Sequence, residues 1–322
     1  MTPPHHKAEP RNPGIPLDLE WVESARVNKS ATQRRAATMT SRRTVKKEWQ
    51  AAWLLKAVTL TDLTTLSGDD TDGTVRRLCD KARNPVRQEL LDAMGFDLPL
   101  QVGAVCVYHQ FVETAVKALS GSGIPVAAVA AGFPHGLSPF RERIHEIQAS
   151  VAAGAGEIDI VISRHLVLEG RWQELYDEVQ QFREACGDAH LKSILATGEL
   201  GTYTNVARAS LVCMMAGSDF IKTSTGKESV NANLQVGLIM TRTIRDFAAR
   251  TGYKVGFKPA GGIRTAKNAL DFMILMKEEL GRRWMEPDLF RLGASALIND
   301  IERQLEHFTT GHYAASYKQP LG

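Results

Sequence analysis

The sequence predicts an α/β fold, closed as a (β/α)8 TIM barrel with an N-terminal extension. Three observations predict it. Eight short apolar runs, many of them β-branched, recur along the chain, and each precedes a longer stretch of helical periodicity. The runs are too continuously apolar for half-exposed strands and read as parallel strands buried on both faces. The chain has 322 residues, enough for one barrel of roughly 250 residues with extensions at its ends. An open doubly wound sheet is the alternative architecture for the same alternation.

Residues 1–43 are rich in Pro, His, Arg, Ser and Thr and lack apolar periodicity, which predicts a flexible basic extension. The barrel is expected over 44–310 and a tail over 311–322. A first helix is expected near 44–57, where Trp49, Trp53, Leu54 and Leu55 supply an apolar face. Strands are predicted at 58–63, 103–108, 126–133, 157–163, 191–197, 220–224, 255–259 and 290–294. Helices are predicted at 72–81, 112–119, 140–153, 172–185, 205–216, 234–250 and 266–279, with a last one after Ala296. Residues 88–100 read as an insertion in the first crossover. Ser138 and Thr265 stand at N-cap positions, and Gly154 and Gly217 at C-cap positions.

Composition excludes several classes. The net charge is only +3, an excess that comes from a cluster of Arg34, Arg35, Arg42, Arg43, Lys46 and Lys47, so nothing argues for a nucleic-acid or membrane partner. Cys79, Cys106, Cys186 and Cys213 form no C-x-x-C pair and read as reduced thiols. No apolar stretch approaches the roughly 20 residues of a membrane helix, and the start has no apolar signal core. The expected location is cytoplasmic.

In a barrel of this kind chemistry belongs at the C-terminal ends of the strands. Two strands carry a lysine there. Phe220-Ile221-Lys222-Thr223-Ser224-Thr225-Gly226-Lys227 places Lys222 in an apolar run, and Val255-Gly256-Phe257-Lys258-Pro259-Ala260-Gly261-Gly262-Ile263-Arg264 places Lys258 in the next. Lysine is seldom buried without a partner. Two on adjacent strands have a use: desolvation and a neighbouring cation disfavour one ammonium, leaving a nucleophilic amine beside a charged neighbour. For one lysine alone, a strand-edge side chain reaching to water is the better reading. In Glu157-Ile158-Asp159, strand alternation sets both carboxylates on one face. Asp159 lies deeper in the run, where it balances a lysine or moves protons; a purely structural ion pair explains it equally well. Glycines in 224–227, 261–262 and 292–295 follow late strands and suit a phosphate cradle, with Lys227 as an added charge.

These motifs resemble those of the deoxyribose-phosphate aldolase family, class I aldolases on a barrel. The resemblance spans about 59–296 and includes Thr61-Asp62-Leu63-Thr64, Val105-Cys106-Val107-Tyr108, Phe133-Pro134-His135-Gly136 and Thr197-Gly198-Glu199-Leu200. It implies reversible cleavage of 2-deoxy-D-ribose 5-phosphate to D-glyceraldehyde 3-phosphate and acetaldehyde, in deoxyribonucleoside catabolism. By the same resemblance Lys222 forms the imine, Lys258 perturbs it and Asp159 shuttles protons. Asp62, Thr64, Cys106 and Thr225 line the sugar site. Gly226, Lys227, Gly261, Gly262, Ile263, Arg264, Gly293 and Ser295 contact phosphate, and Tyr317 near the C-terminus is a candidate contributor. The chain departs from the family pattern at Ala296, where a second serine is common, and at Ala196, where glutamate is common.

No cofactor and no metal are expected. His109, His135, His145, His165 and His190 lack tight ligand spacing, which disfavours a metal-dependent aldolase. An isomerase-type phosphate-binding barrel and a non-enzymatic binding protein also compete with the Schiff-base reading. The expected partner is a small phosphorylated sugar, with no nucleic acid or membrane; a homo-oligomer is left open.

Overall fold

The computed structural model describes residues 9–42 and 44–318, apart from the side chains of Arg42 and Ser316. Its eight strands are β1 (Thr61–Thr64), β2 (Ala104–Tyr108), β3 (Val126–Ala130), β4 (Glu157–Val161), β5 (His190–Ile194), β6 (Phe220–Lys222), β7 (Gly256–Lys258) and β8 (Leu292–Ala294). All pair in parallel, in the order β7-β6-β5-β4-β3-β2-β1-β8. Hydrogen bonds from Phe257 N to Leu289 O (2.9 Å), Arg291 N to Phe257 O (3.1 Å) and Gly293 N to Pro259 O (2.9 Å) join the two ends. The sheet is a barrel, as the alternation predicts, and not an open sheet.

The strands stop earlier than the apolar runs do. β3 ends where Ala131 (φ 62) and Gly132 (φ 74) turn left-handed, and β5 ends before Ala196 (φ 54). These reversals, rather than loss of hydrophobicity, release the loops at the C-terminal mouth. Residues 58–60, expected as strand, form the last turn of the helix Lys47–Leu60, which runs directly into β1. A short buried apolar run has no period of its own to separate the two. The insertion at 88–100 contains the short helix Gln88–Ala93.

Thr265 caps Ala266–Glu279 as predicted, in a capping box with Asn268. Gly154 (φ 102) and Gly217 (φ 96) each follow a helix by one residue past its C-cap. Ser138 does not cap: Phe140–Ala152 starts from Pro139 without a side-chain cap.

Residues 9–42 are not the flexible segment that composition suggests. Helices Leu19–Ser24 and Lys29–Arg42 lie against the barrel, burying Val22, Ala36 and Met39. The Asn12 amide donates to Met214 O (2.7 Å) and Ser218 O (2.9 Å), and its backbone N–H donates to Asp219 Oδ1 (3.0 Å). Arg250 stacks over Trp21, 4.2 Å from the ring centre. The anchoring is polar, and the buried stripe Thr32, Ala36, Met39 is weakly apolar, so hydrophobic periodicity does not register it. No helix among the described residues is long and apolar enough to cross a membrane.

Candidate active site

The strand register brings the predicted residues together before any side chain is considered. Lys222 is the register partner of Lys258, Asp159 of Lys192, Thr64 of Cys106 and Asp62 of Gly293. Alternation then turns the charged members of these strands into the barrel. Lys222 Nζ lies 2.8 Å from Asp159 Oδ2, and Lys258 Nζ lies 2.7 Å from the same oxygen. Lys258 also pairs with Asp62 Oδ2. Asp62, Asp159 and Lys258 are wholly buried and Lys222 is 2% exposed.

Below this group lies a second, which sequence reasoning missed. Lys192 Nζ bridges Asp159 Oδ1 (2.8 Å) and Glu157 Oε2 (2.6 Å), and Arg291 Nη2 donates to Glu157 Oε1 (2.8 Å). The signal was present: Leu191-Lys192-Ser193-Ile194 and Phe290-Arg291-Leu292 each set a cation in an apolar run, the same criterion that selects Lys222 and Lys258. Four cations, Lys192, Lys222, Lys258 and Arg291, thus meet three carboxylates, Asp62, Glu157 and Asp159, in one dry interior.

Electrostatics fixes most protonation states in the cluster. Burial alone would raise the Asp159 carboxyl, but Lys192, Lys222 and Lys258 outweigh it and hold the group well below the usual carboxylate range. Glu157 is likewise pulled down to about 2, burial being overcome by Arg291 and Lys192. Burial opposes the Lys258 ammonium, yet Asp159 and Asp62 raise it above the ordinary lysine value, so this lysine stays charged. Burial pushes the Cys106 thiol up to about 12, which leaves it a neutral thiol.

Above the lysines opens a cavity of about 180 Å³. Lys222 forms part of its lining, with Thr64 and Thr225 from the predicted sugar site. All eight predicted phosphate contacts, Gly226, Lys227, Gly261, Gly262, Ile263, Arg264, Gly293 and Ser295, line it as well. Gly261 (φ +82) admits no side chain, since a Cβ there would stand 2.5 Å from Asn231 Oδ1. Four backbone amides of the set already have acceptors: Gly226 N donates to Glu228, Lys227 N to Thr225 Oγ1, Arg264 N to Asn268 Oδ1 and Gly293 N to Pro259 O. Lys227 Nζ donates to Leu66 O (2.9 Å).

A family model described as DeoC/LacD family aldolase matches residues 56–298, from the helix before β1 to the start of the last helix. The chain belongs to the DeoC/LacD aldolase family. The human deoxyribose-phosphate aldolase is 59% identical over 313 residues, covering 96% of this chain and 98% of the human one. The mouse deoxyribose-phosphate aldolase is 61% identical over 311 residues, with the same coverage. A solved structure of the tetrameric deoxyribose phosphate aldolase from Aeropyrum pernix has the same fold. It covers 85% of this chain and 98% of its own, with a TM-score of 0.58 at 21% identity.

Not every predicted residue of this DeoC/LacD aldolase reaches the cavity. Asp62 and Cys106, expected at the sugar site, are wholly buried and absent from its lining, Asp62 against Lys258 and Cys106 in a small cluster with Ala127 and Val129. Tyr317 is 83% exposed and absent from the cavity lining; residues 319–322 lie outside the described residues. Among the described residues, no group of three or more His, Cys, Asp or Glu side chains is arranged to hold a metal ion.

Proposed function

We propose that this aldolase cleaves 2-deoxy-D-ribose 5-phosphate reversibly to D-glyceraldehyde 3-phosphate and acetaldehyde through an imine on Lys222. The observation that carries this reading is the single oxygen, Asp159 Oδ2, shared by the buried Lys258 and by Lys222, which lines the glycine-rich cavity. A dry cluster with one cation in excess relieves its charge by releasing a proton. Lys222 is the amine that meets the substrate, because it lines the cavity, whereas Lys258 is wholly buried and also holds Asp62.

The Lys222 amine attacks the C1 aldehyde, and loss of water with uptake of one proton leaves an iminium. A base takes the proton of the C3 hydroxyl, the C2–C3 bond breaks, and its electron pair passes to the iminium to give an enamine. D-Glyceraldehyde 3-phosphate departs. Proton return to C2 and hydrolysis of the imine release acetaldehyde and the amine. Asp159, held ionised and touching both lysines, suits the proton transfers at each stage. Binding the phosphate in the glycine loops, away from the bond that breaks, orients the sugar.

Four free buried cysteines fit a reducing, cytoplasmic setting for this reaction in deoxyribonucleoside catabolism. The tetrameric Aeropyrum pernix relative is the precedent for a homo-oligomer. The test is direct: purified protein is given 2-deoxyribose 5-phosphate with chelator, and glyceraldehyde 3-phosphate is followed with a coupled dehydrogenase. Turnover insensitive to chelator is expected. No aldehyde release, or activity that chelator abolishes, contradicts the proposal.

A further inference from the structure

One buried carboxylate beside the cavity has no part in the scheme above. Glu228 follows the Thr225-Gly226-Lys227 loop, and its side chain is 3% exposed. Thr225 N donates to both of its oxygens (3.2 and 3.1 Å) and Gly226 N donates to Oε2 (3.2 Å). These amides border the glycine-lined cavity, where an incoming anion would otherwise compete for them. From the other side Arg164 Nη2 approaches Glu228 Oε1 (3.3 Å). Arg164 also binds Glu199 Oε2 (2.9 Å) and Pro134 O (2.8 Å). One guanidinium, at the start of the short helix Arg164–Leu168 after β4, therefore ties together the loops after β3, β5 and β6. The Glu228 carbonyl accepts from Asn231 Nδ2 (2.7 Å), and Asn231 packs on Gly261 across the cavity wall.

We infer that Glu228 is a positioning residue whose carboxylate fixes the Thr225–Gly226–Lys227 loop and so sets how strongly the enzyme prefers a phosphorylated over an unphosphorylated 2-deoxyaldose. The inference rests on the aldolase reading and extends it to selectivity. With two loop amides reserved by Glu228, the phosphate is received by the opposing loops at 261–264 and 293–295 and by Lys227. Arg164, shared with Glu199, offsets part of the Glu228 charge. A glutamine carries no charge, and its amide nitrogen, standing in place of Oε1, cannot accept from Arg164 Nη2 or Thr225 N, so the hold on the loop is weakened. The loop then relaxes, and the cradle loses its form while the lysines below keep theirs.

The experiment compares kcat/KM for 2-deoxyribose 5-phosphate with kcat/KM for 2-deoxyribose in wild type and Glu228→Gln. The ratio should fall roughly tenfold, the equivalent of one charge-assisted hydrogen bond, mainly through KM of the phosphorylated substrate. Inorganic phosphate should weaken in parallel as a competitive inhibitor. If Glu228→Gln does not fold, Arg164→Met releases the same carboxylate from its other side and should lower the same ratio. Equal losses on both substrates, or an unchanged ratio beside an active wild type, overturn this inference alone. A wild-type chain that turns over neither substrate overturns the aldolase reading, and this inference with it.

Discussion

Lys222 and Lys258 are register partners on β6 and β7, and both donate to one oxygen of Asp159. The geometry sets two lysine side chains against one carboxylate oxygen. Replacing Lys258 by leucine removes one cation and leaves Asp159 to Lys222 and Lys192 alone. The pH–rate profile of Lys258→Leu should shift to the alkaline side, with activity near pH 7 reduced by about 10²-fold or more. A variant with an unshifted profile contradicts the coupling.

Asp159 accepts from Lys192, Lys222 and Lys258 at once. Asp159→Asn removes the ionised acceptor at the centre of the proton transfers. Steady-state kinetics should show kcat lowered by about 10²- to 10⁴-fold, the usual range for a general acid–base group, with KM changed far less. A loss confined to KM would assign Asp159 to binding instead.

The interior carboxylates also give the fold an acid limit. Glu157 is pulled from 4.5 to about 2 in the folded chain, so it adds stability above its unfolded value, and that stability declines as pH falls toward 2. Asp159 acts in the same direction. Denaturant unfolding of wild type should show stability dropping below about pH 4.5. Glu157→Gln, less stable at pH 7 because Arg291 and Lys192 lose a partner, should show a shallower pH slope. An identical slope contradicts the assignment.

Asn12 is buried and makes three hydrogen bonds to the segment that precedes β6. Truncating it to alanine removes the side-chain donor shared by the buried Met214 and Ser218 carbonyls. The expected cost is about 1–3 kcal/mol in thermal or chemical denaturation, with kcat unchanged, because the contact is remote from the lysines. Unaltered stability would restore the view of this segment as a loose tail.

How much of this was legible in the sequence depended on which physical signal each residue leaves. The barrel was legible because buried parallel strands and amphipathic helices leave different periods. Lys222, Lys258 and Asp159 stood out because a charge in an apolar run needs a reason. Lys192 and Arg291 met the same criterion, but only the register and the ion pairs show them gathered beneath Asp159 with Glu157. Asn12 and Glu228 were illegible: one polar side chain bonding distant carbonyls, or its own loop, leaves no periodic trace. Residues 58–60 failed for the opposite reason, since continuous burial erased the difference between helix and strand.

The central claim is a covalent bond at one lysine, and borohydride reduction in the presence of 2-deoxyribose 5-phosphate tests it most directly. Reduction should inactivate the protein irreversibly, and peptide mass mapping should place the adduct on Lys222. An adduct on Lys258 or Lys192, or full activity surviving reduction with no adduct at all, would contradict it.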